Sequence, residues 1–518
     1  MPDKSAAGTA RQQMTRTCKL LFIPIFLLQA GFFLFVSQHR FIDGDEGFYL
    51  LASRLVMQHK APYLDFFYTQ APLLPYAYAA WFRLTGISWF AARVFSAVQA
   101  AVLGGLIYEH VCRETGKWIA GLAAVVLFAS SSFVFAWFPI VKTFPLAALF
   151  LFLAYVIFVR RSQPSSEWWI AAAGVLFGLS VDTRSYVVAV APVFLWWIFR
   201  QNRRPWLVRL LSFAGGFAIG TIPSLILFFA SPDTFLFNNL GYHAMRSNAG
   251  LIGLWQDKVM VLLATFGGRF TGFQFSVLTL TCVGFIVLRR MKREASLLAF
   301  WIAFALGVVS ILPTPASMQY FCMLVPFLIV AAVCSVSDYF AGAQSQREMR
   351  IAAAVCVVLL ISFVGFAVPN FCQYLFTGNR VPGIDGSPDA PNWTLQRVTA
   401  VSKAIDQLAS PGEKVVSFWP GYIFASRADP YPGFENDFGL YVAARLSRER
   451  REKYHLLAGA DMLDEFASHG PRLVVIGNQG PASGGPERPA AVTVVHTHGY
   501  MLVRMVGETS FYEYLSKP

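Results

Sequence analysis

Charge is what this chain has least of. Asp, Glu, Lys and Arg make up only 14% of its 518 residues, against 56% hydrophobic and 16% aromatic residues. A soluble globular protein carries about a quarter charged residues, so most of this chain cannot be solvated and belongs in a bilayer. At roughly 150 residues per domain the length alone would suggest several soluble domains, and the composition overrides that expectation. Cysteine offers no framework either. Of the seven, Cys282, Cys322, Cys334 and Cys356 lie in apolar runs, and no CxxC pair or metal-ligand spacing occurs, so a disulfide scaffold is not expected. The net charge is +13, but Lys and Arg fall in short clusters between apolar runs and no aromatic-basic face is present. Topology accounts for the imbalance better than nucleic acid does.

What is present is a series of long apolar runs: 20–36, 91–111, 118–138, 141–159, 168–181, 186–199, 210–230, 273–288, 296–312, 320–336 and 351–368. These predict a membrane all-α protein, a polytopic bundle of about eleven transmembrane helices. The first run follows about nineteen polar residues and lacks a small-residue cleavage site, so it reads as a retained span. Basic residues occupy every second loop: Lys4, Arg11, Arg16 and Lys19; Arg113 and Lys117; Arg160 and Arg161; Arg200, Arg203, Arg204 and Arg209; Arg289, Arg290, Lys292 and Arg293; Arg347 and Arg350. The positive-inside rule then sets the N-terminus in the cytoplasm of a multi-pass protein of the inner (plasma) membrane. The large first loop (37–90), the segment 231–272 and the tail after Pro369 fall outside the cytoplasm, where nucleotide-activated donors are not available.

The expected domains are a transmembrane unit over 1–370, a linker over 371–392 and a small extracytoplasmic α/β domain over 393–518. Gly, Pro and Asp replace the apolar pattern at 379–392, as in a linker. Beyond it Leu395, Val398, Val401, Ile405 and Leu408 recur at helical spacing, and 414–418, 472–476, 491–495 and 501–505 read as strands. This domain has no Gly-rich phosphate loop, metal cluster or nucleophile elbow, and the chain shows no internal repeat.

Acidic residues gather just past the first run, as Asp43, Asp45 and Glu46. Two readings stand side by side. Asp43 with Glu46 three residues on has the form of a capping box that starts an interfacial helix. Carboxylates beside a membrane are costly unless solvated or used, which points to chemistry.

The order of the Asp45-Glu46 pair, Tyr49, Ala61-Pro62-Tyr63-Leu64-Asp65, Gln70-Ala71-Pro72 and Ala92-Arg93 resembles the C-type (GT-C) glycosyltransferases. Within them it is similar to the bacterial group related to protein O-mannosyltransferases and to the aminoarabinose transferase of lipid A. The likeness is densest over 43–150 and includes Gln319-Tyr320 and Pro326. It implies transfer of a hexose or pentose from a polyprenyl-phosphate carrier to a glycan, lipid or protein acceptor outside the cytoplasm, usually with inversion and with membrane lipids as neighbours. Carried onto this chain, Asp45 is the general base, while Asp43 and Glu46 shape the site or bind the acceptor. Several relatives have a second acidic residue where this chain has Lys142, which reads either as a carrier-phosphate contact or as a snorkelling lysine. Where relatives often have a lysine this chain has Arg184, a bidentate phosphate contact or else a partner of Asp182.

Tyr68 and Gln70 are candidates for sugar hydroxyls, and Gln319 and Tyr320 for the far wall. Arg93 reads as an interfacial anchor, and 237–243 as a gating loop in which His243 has no evident metal partners. No cofactor is required on this reading, although clustered carboxylates can hold Mg²⁺ or Mn²⁺. Competing readings are a polymerase or ligase of the same architecture using a lipid diphosphate, and a transporter or flippase. A transporter would place ionisable residues inside spans and show paired repeats with broken helices.

Overall fold

A computed structural model describes residues 4–160, 167–200, 206–246, 250–268, 271–343, 345–377, 393–468, 470–477 and 495–514. The chain is mostly helical. It opens with α1 (Lys4–His39), α2 (Gly44–Met57), α3 (Leu73–Thr85), α4 (Trp89–Thr115), α5 (Trp118–Ser130), α6 (Ser132–Trp137), α7 (Thr143–Arg160) and α8 (Glu167–Thr183). Among the described residues six helices are long and apolar enough to cross a membrane, and two bent pairs bring the number to eight. The expectation of about eleven counted several runs that fold as shorter or broken helices. The run 118–138 splits at Ser131 into α5 and α6. The run 210–230 bends by 65° between Gly220 and Ile222, just before Pro223, which cannot donate to the preceding turn. Arg161, Arg203 and Arg204 of the basic loops lie outside the described residues.

Apolar side chains face outward along the bundle, including Leu20, Ile23, Leu27 and Leu28 of α1 and Ile351, Val355, Val358 and Ile361 of the helix Gln346–Thr377. Such a surface is stable only against lipid. Inside, α8 and the helix Trp206–Gly220 approach so closely that a Cβ on Gly216 would lie 2.0 Å from the Ala171 carbonyl oxygen. Gly174 and Gly178 on one helix meet Gly216 and Gly220 on the other, a small-xxx-small contact on both sides.

The C-terminal region forms a five-stranded sheet of order β2-β1-β3-β5-β4, with β1 Lys414–Ser417, β2 Asp429–Pro430, β3 Leu473–Ile476, β4 Tyr500–Val506 and β5 Thr509–Tyr514. β1 runs parallel to β2 and β3, while β5 is antiparallel to β3 and β4. The helix Leu395–Leu408 buries Val398, Val401 and Ile405, as its spacing predicts. Of the strand expected at 491–495, residues 491–494 lie outside the described residues, and Val495 begins a helical turn. Sequence reasoning missed β5, although the aromatic run Phe511-Tyr512 after the turn at Gly507, where φ is +62°, was a hairpin signal. The helix Gln346–Thr377 extends past residue 371, so the linker loses its first seven positions to that helix, and 378–392 lie outside the described residues.

Candidate active site

The first loop folds as α2 and α3 beside the bundle. Asp43 is the N-cap of α2, accepting from the Asp45 amide at 3.1 Å, while Glu46 Oε1 accepts from the Asp43 amide at 2.8 Å. The capping box is therefore real, and it sorts the three carboxylates by direction. Glu46 turns inward and is fully buried. It takes Arg93 Nε at 2.6 Å, Arg93 Nη2 at 2.7 Å and the Val141 amide at 3.1 Å. Arg93 also donates to the carbonyls of Ser37, Arg40 and Phe41. The expectation that Glu46 binds substrate is corrected by this arrangement, since every lone pair it has faces protein. Arg93 is corrected too: it is a buried tie between α1, α2 and α4, not an anchor at the membrane surface.

Asp45 turns the other way, into a cavity of about 410 Å³. Asp43, Gln70, Lys142, Arg184, Gln319 and Tyr320 line the same cavity. Seven of the nine predicted residues are thus brought together from five stretches of chain. Glu46 and Tyr68 do not line it, and the ring of Tyr68 is buried among Phe48, Tyr49, Tyr63 and Phe66.

Lys142 follows α6 and is buried beside the Trp137 ring, its Nζ 2.5 Å from Asp43 and in contact with Asp45. It is therefore a buried ion-pair partner of both aspartates on the cavity wall and not a snorkelling lysine. Burial alone would raise the Asp43 pKa, but the Lys142 and Arg40 charges outweigh it and hold the carboxyl below its ordinary range. With Glu46 committed to Arg93 and an ammonium between the other two carboxylates, the residues do not suit a divalent ion. Among the described residues no three His, Cys, Asp or Glu side chains converge as metal ligands.

Arg184 stands at the end of α8. It donates to Thr143 Oγ1 and lies over Phe144, Tyr186 and Tyr320 at 4.2, 4.6 and 5.1 Å. It does not pair with Asp182, whose carboxylate accepts from the Ser224 amide. Sequence reasoning missed Arg246, a second guanidinium on the cavity wall, which lies over Tyr242 and Phe438 at 5.7 and 5.9 Å. Among the described residues neither arginine has a carboxylate within ion-pair distance. His243, also on the wall, contacts the Thr69 carbonyl at 3.0 Å, and burial pushes its pKa down to about 4, so the ring is neutral at pH 7.

Two further wall residues, Trp393 and Phe438, come from the C-terminal region. That region is held against the first loop by specific bonds. Arg54 donates to the carbonyls of Ile423, Ser426 and Ala428, and Trp419 Nε1 donates to the Gly44 carbonyl at 2.8 Å. Gly47 permits this approach, since a Cβ there would lie 2.7 Å from the Gly421 nitrogen and the Trp419 ring. On the other side Tyr454 stacks on Phe237 at 3.8 Å and donates to Asp233. No local pattern announces Trp393, Phe438 or Arg246, because each reaches the cavity only through these long-range contacts.

The family model for dolichyl-phosphate-mannose-protein mannosyltransferase matches residues 69–228, a stretch that holds Gln70, Lys142 and Arg184. No curated protein matches the chain. Crystal structures of ArnT from Cupriavidus metallidurans are similar over nearly the whole length. The apo form has a TM-score of 0.65 at 12% identity, covering 97% of this chain and 98% of that one. The form bound to undecaprenyl phosphate has a TM-score of 0.63 at 12% identity, covering 96% and 98%. The chain therefore shares the fold of ArnT over nearly its whole length, is a multi-pass membrane protein, and over 69–228 is similar to the protein mannosyltransferases.

Proposed function

We propose that this chain moves a sugar from a polyprenyl-phosphate carrier to a hydroxyl of a cell-envelope lipid, polysaccharide or protein, with inversion. The observation that carries the reading is one cavity holding a carboxylate, Asp45, and two guanidiniums, Arg184 and Arg246, with no carboxylate within ion-pair distance among the described residues. The solved ArnT complex with undecaprenyl phosphate supports a lipid phosphate as the anion they await.

In the reaction the Asp45 carboxylate takes the proton of the acceptor hydroxyl as its oxygen attacks the anomeric carbon. The bond from that carbon to the phosphate oxygen breaks, and the electron pair leaves with the lipid phosphate. Arg184 and Arg246 stabilise the charge gathering there, which makes a general acid unnecessary. Lys142 fixes the Asp45 side chain and supplies the positive charge that a divalent cation would otherwise bring, so none is required. The cavity opens outside the cytoplasm, in a multi-pass protein with a cytoplasmic N-terminus and an extracytoplasmic C-terminal domain.

The test is transfer from undecaprenyl-phosphate-linked hexoses and pentoses by the purified full chain, with membrane extract as acceptor, beside the corresponding diphosphates. Asp45→Asn keeps the shape and the start of α2, so folding should persist while the rate falls by about a hundredfold or more. Full activity in a folded Asp45→Asn protein, or use of diphosphates alone, overturns the proposal.

A further inference from the structure

Besides Trp393 at its start, the C-terminal domain reaches the cavity through a short stretch after β2. There Asn436 caps the single turn Asp437–Gly439 by accepting from the Phe438 amide at 3.1 Å. Phe438 lines the cavity and meets Phe48 of α2 edge-on at 5.4 Å. Its neighbours in sequence are unusual. Asp437 is 3% exposed and Asn436 2% exposed, yet both Asp437 carboxyl oxygens and the Asn436 amide nitrogen lack any hydrogen-bond partner among the described residues. The buried Tyr68 hydroxyl, on a ring 6.1 Å from Phe48, is in the same condition.

Asn436 and Asp437 do not themselves line the cavity but adjoin Phe438, which does. Buried polar atoms are nearly always paired, and a group of unpaired ones there marks a place where a ligand or water completes the bonds. Burial, with the Asp45 charge adding to it, raises the Asp437 pKa well above the ordinary carboxylate range, a shift toward the protonated form, which donates as well as accepts. An acid, an amide and aromatic rings together offer what a sugar presents: adjacent hydroxyls that both give and take hydrogen bonds, on a ring with apolar faces.

We propose that Asn436 and Asp437 form a hydroxyl-binding subsite for a sugar ring, so that the C-terminal domain reads the saccharide handled beside Asp45. The proposal deepens the transferase reading and rests on it. The ring belongs either to the lipid-linked donor or to the acceptor glycan, and the two sources separate by experiment. Undecaprenyl-phosphate hexoses serve as donor probes and methyl hexosides as acceptor probes, with binding to the detergent-purified full chain followed by saturation-transfer NMR.

Asp437→Leu removes an unpaired buried carboxyl, so the melting temperature should rise by a few degrees while one probe class binds at least tenfold more weakly and the other is unchanged. Asp437→Asn, which keeps hydrogen-bonding capacity at the same size, should retain part of that binding, and it decides the matter if the leucine variant does not fold. Unchanged binding of both classes overturns the proposal, because the carboxyl is then only a cost to stability. So does a lower melting temperature with both classes lost equally, because the group is then structural. A wild-type chain that binds neither class defeats the transferase reading along with this one, whereas binding that survives in both variants defeats this inference alone.

Discussion

Arg93 and Arg184 are both buried, and their surroundings are opposite. Arg93 is fully enclosed. Its guanidinium is matched by both Glu46 oxygens and by three backbone carbonyls, so no donor is left over for a ligand. Arg184 donates to Thr143, lies among three aromatic rings and, among the described residues, has no carboxylate within ion-pair distance. Arg246 repeats the second pattern, over Tyr242 and Phe438. The first environment neutralises a charge to hold three segments together. The second keeps a charge available by surrounding it with ring faces, which attract a cation without consuming its hydrogen-bond donors.

The comparison breaks first at Glu46. Glu46→Gln leaves the Arg93 charge buried without a counter-ion, and removing one partner of such a pair costs about 3–5 kcal/mol. Thermal unfolding of the detergent-purified variant should show a large loss of stability, with activity falling only as folded protein falls. A stable Glu46→Gln protein with impaired donor binding would instead return Glu46 to the substrate.

Arg184→Ala should do the reverse. Losing a charge-assisted hydrogen bond to the leaving phosphate costs about 1.5–3 kcal/mol, or roughly ten- to a hundredfold in the use of lipid-phosphate donor. Stability should fall by much less than in Glu46→Gln, since only the Thr143 hydroxyl loses a donor and no charge is left without a counter-ion. Steady-state kinetics with carrier lipid beside a melting curve separates the two effects, and unchanged donor dependence would make Arg184 an architectural residue like Arg93.

The smallest effect sharpens the boundary between the two regions. Gly47→Ala drives a Cβ to 2.7 Å from the Gly421 nitrogen and the Trp419 ring, an overpacking that costs about 1–3 kcal/mol. Hydrogen exchange should rise across 419–439 while the helices of the bundle stay protected. If exchange stays unchanged there, α2 and the C-terminal domain are not rigidly joined, and Phe438 is not held at the cavity by that contact.

Much of this was legible along the chain. The apolar runs and their basic flanks announced a membrane bundle, and the helical spacing of Val398, Val401 and Ile405 announced the packed face of Leu395–Leu408. The capping box at Asp43 and Glu46 was written out in four residues. Its competition with a chemical reading was unresolved because spacing along one helix turn does not tell which carboxylate faces inward. The structure gives each reading its share: Asp43 and Glu46 form the cap, Glu46 meets Arg93, and Asp45 is left to the cavity. Broken spans were harder to foresee, because a single Ser131 or Thr221 interrupts a helix only when neighbouring packing permits the bend.

The sequence by itself determined the solvent each segment needs and the local start of α2, because hydrophobicity and capping act over a few residues. It also carried the order of motifs that resembles the C-type glycosyltransferases. Only the tertiary structure decided the electrostatics of the cavity. Lys142 lies 97 residues beyond Asp45 and bridges it to Asp43, while Arg246 and Phe438 come from other segments altogether. Whether a charge is neutralised or left waiting depends on neighbours within a few ångströms, and in this chain those neighbours are brought near by folding alone.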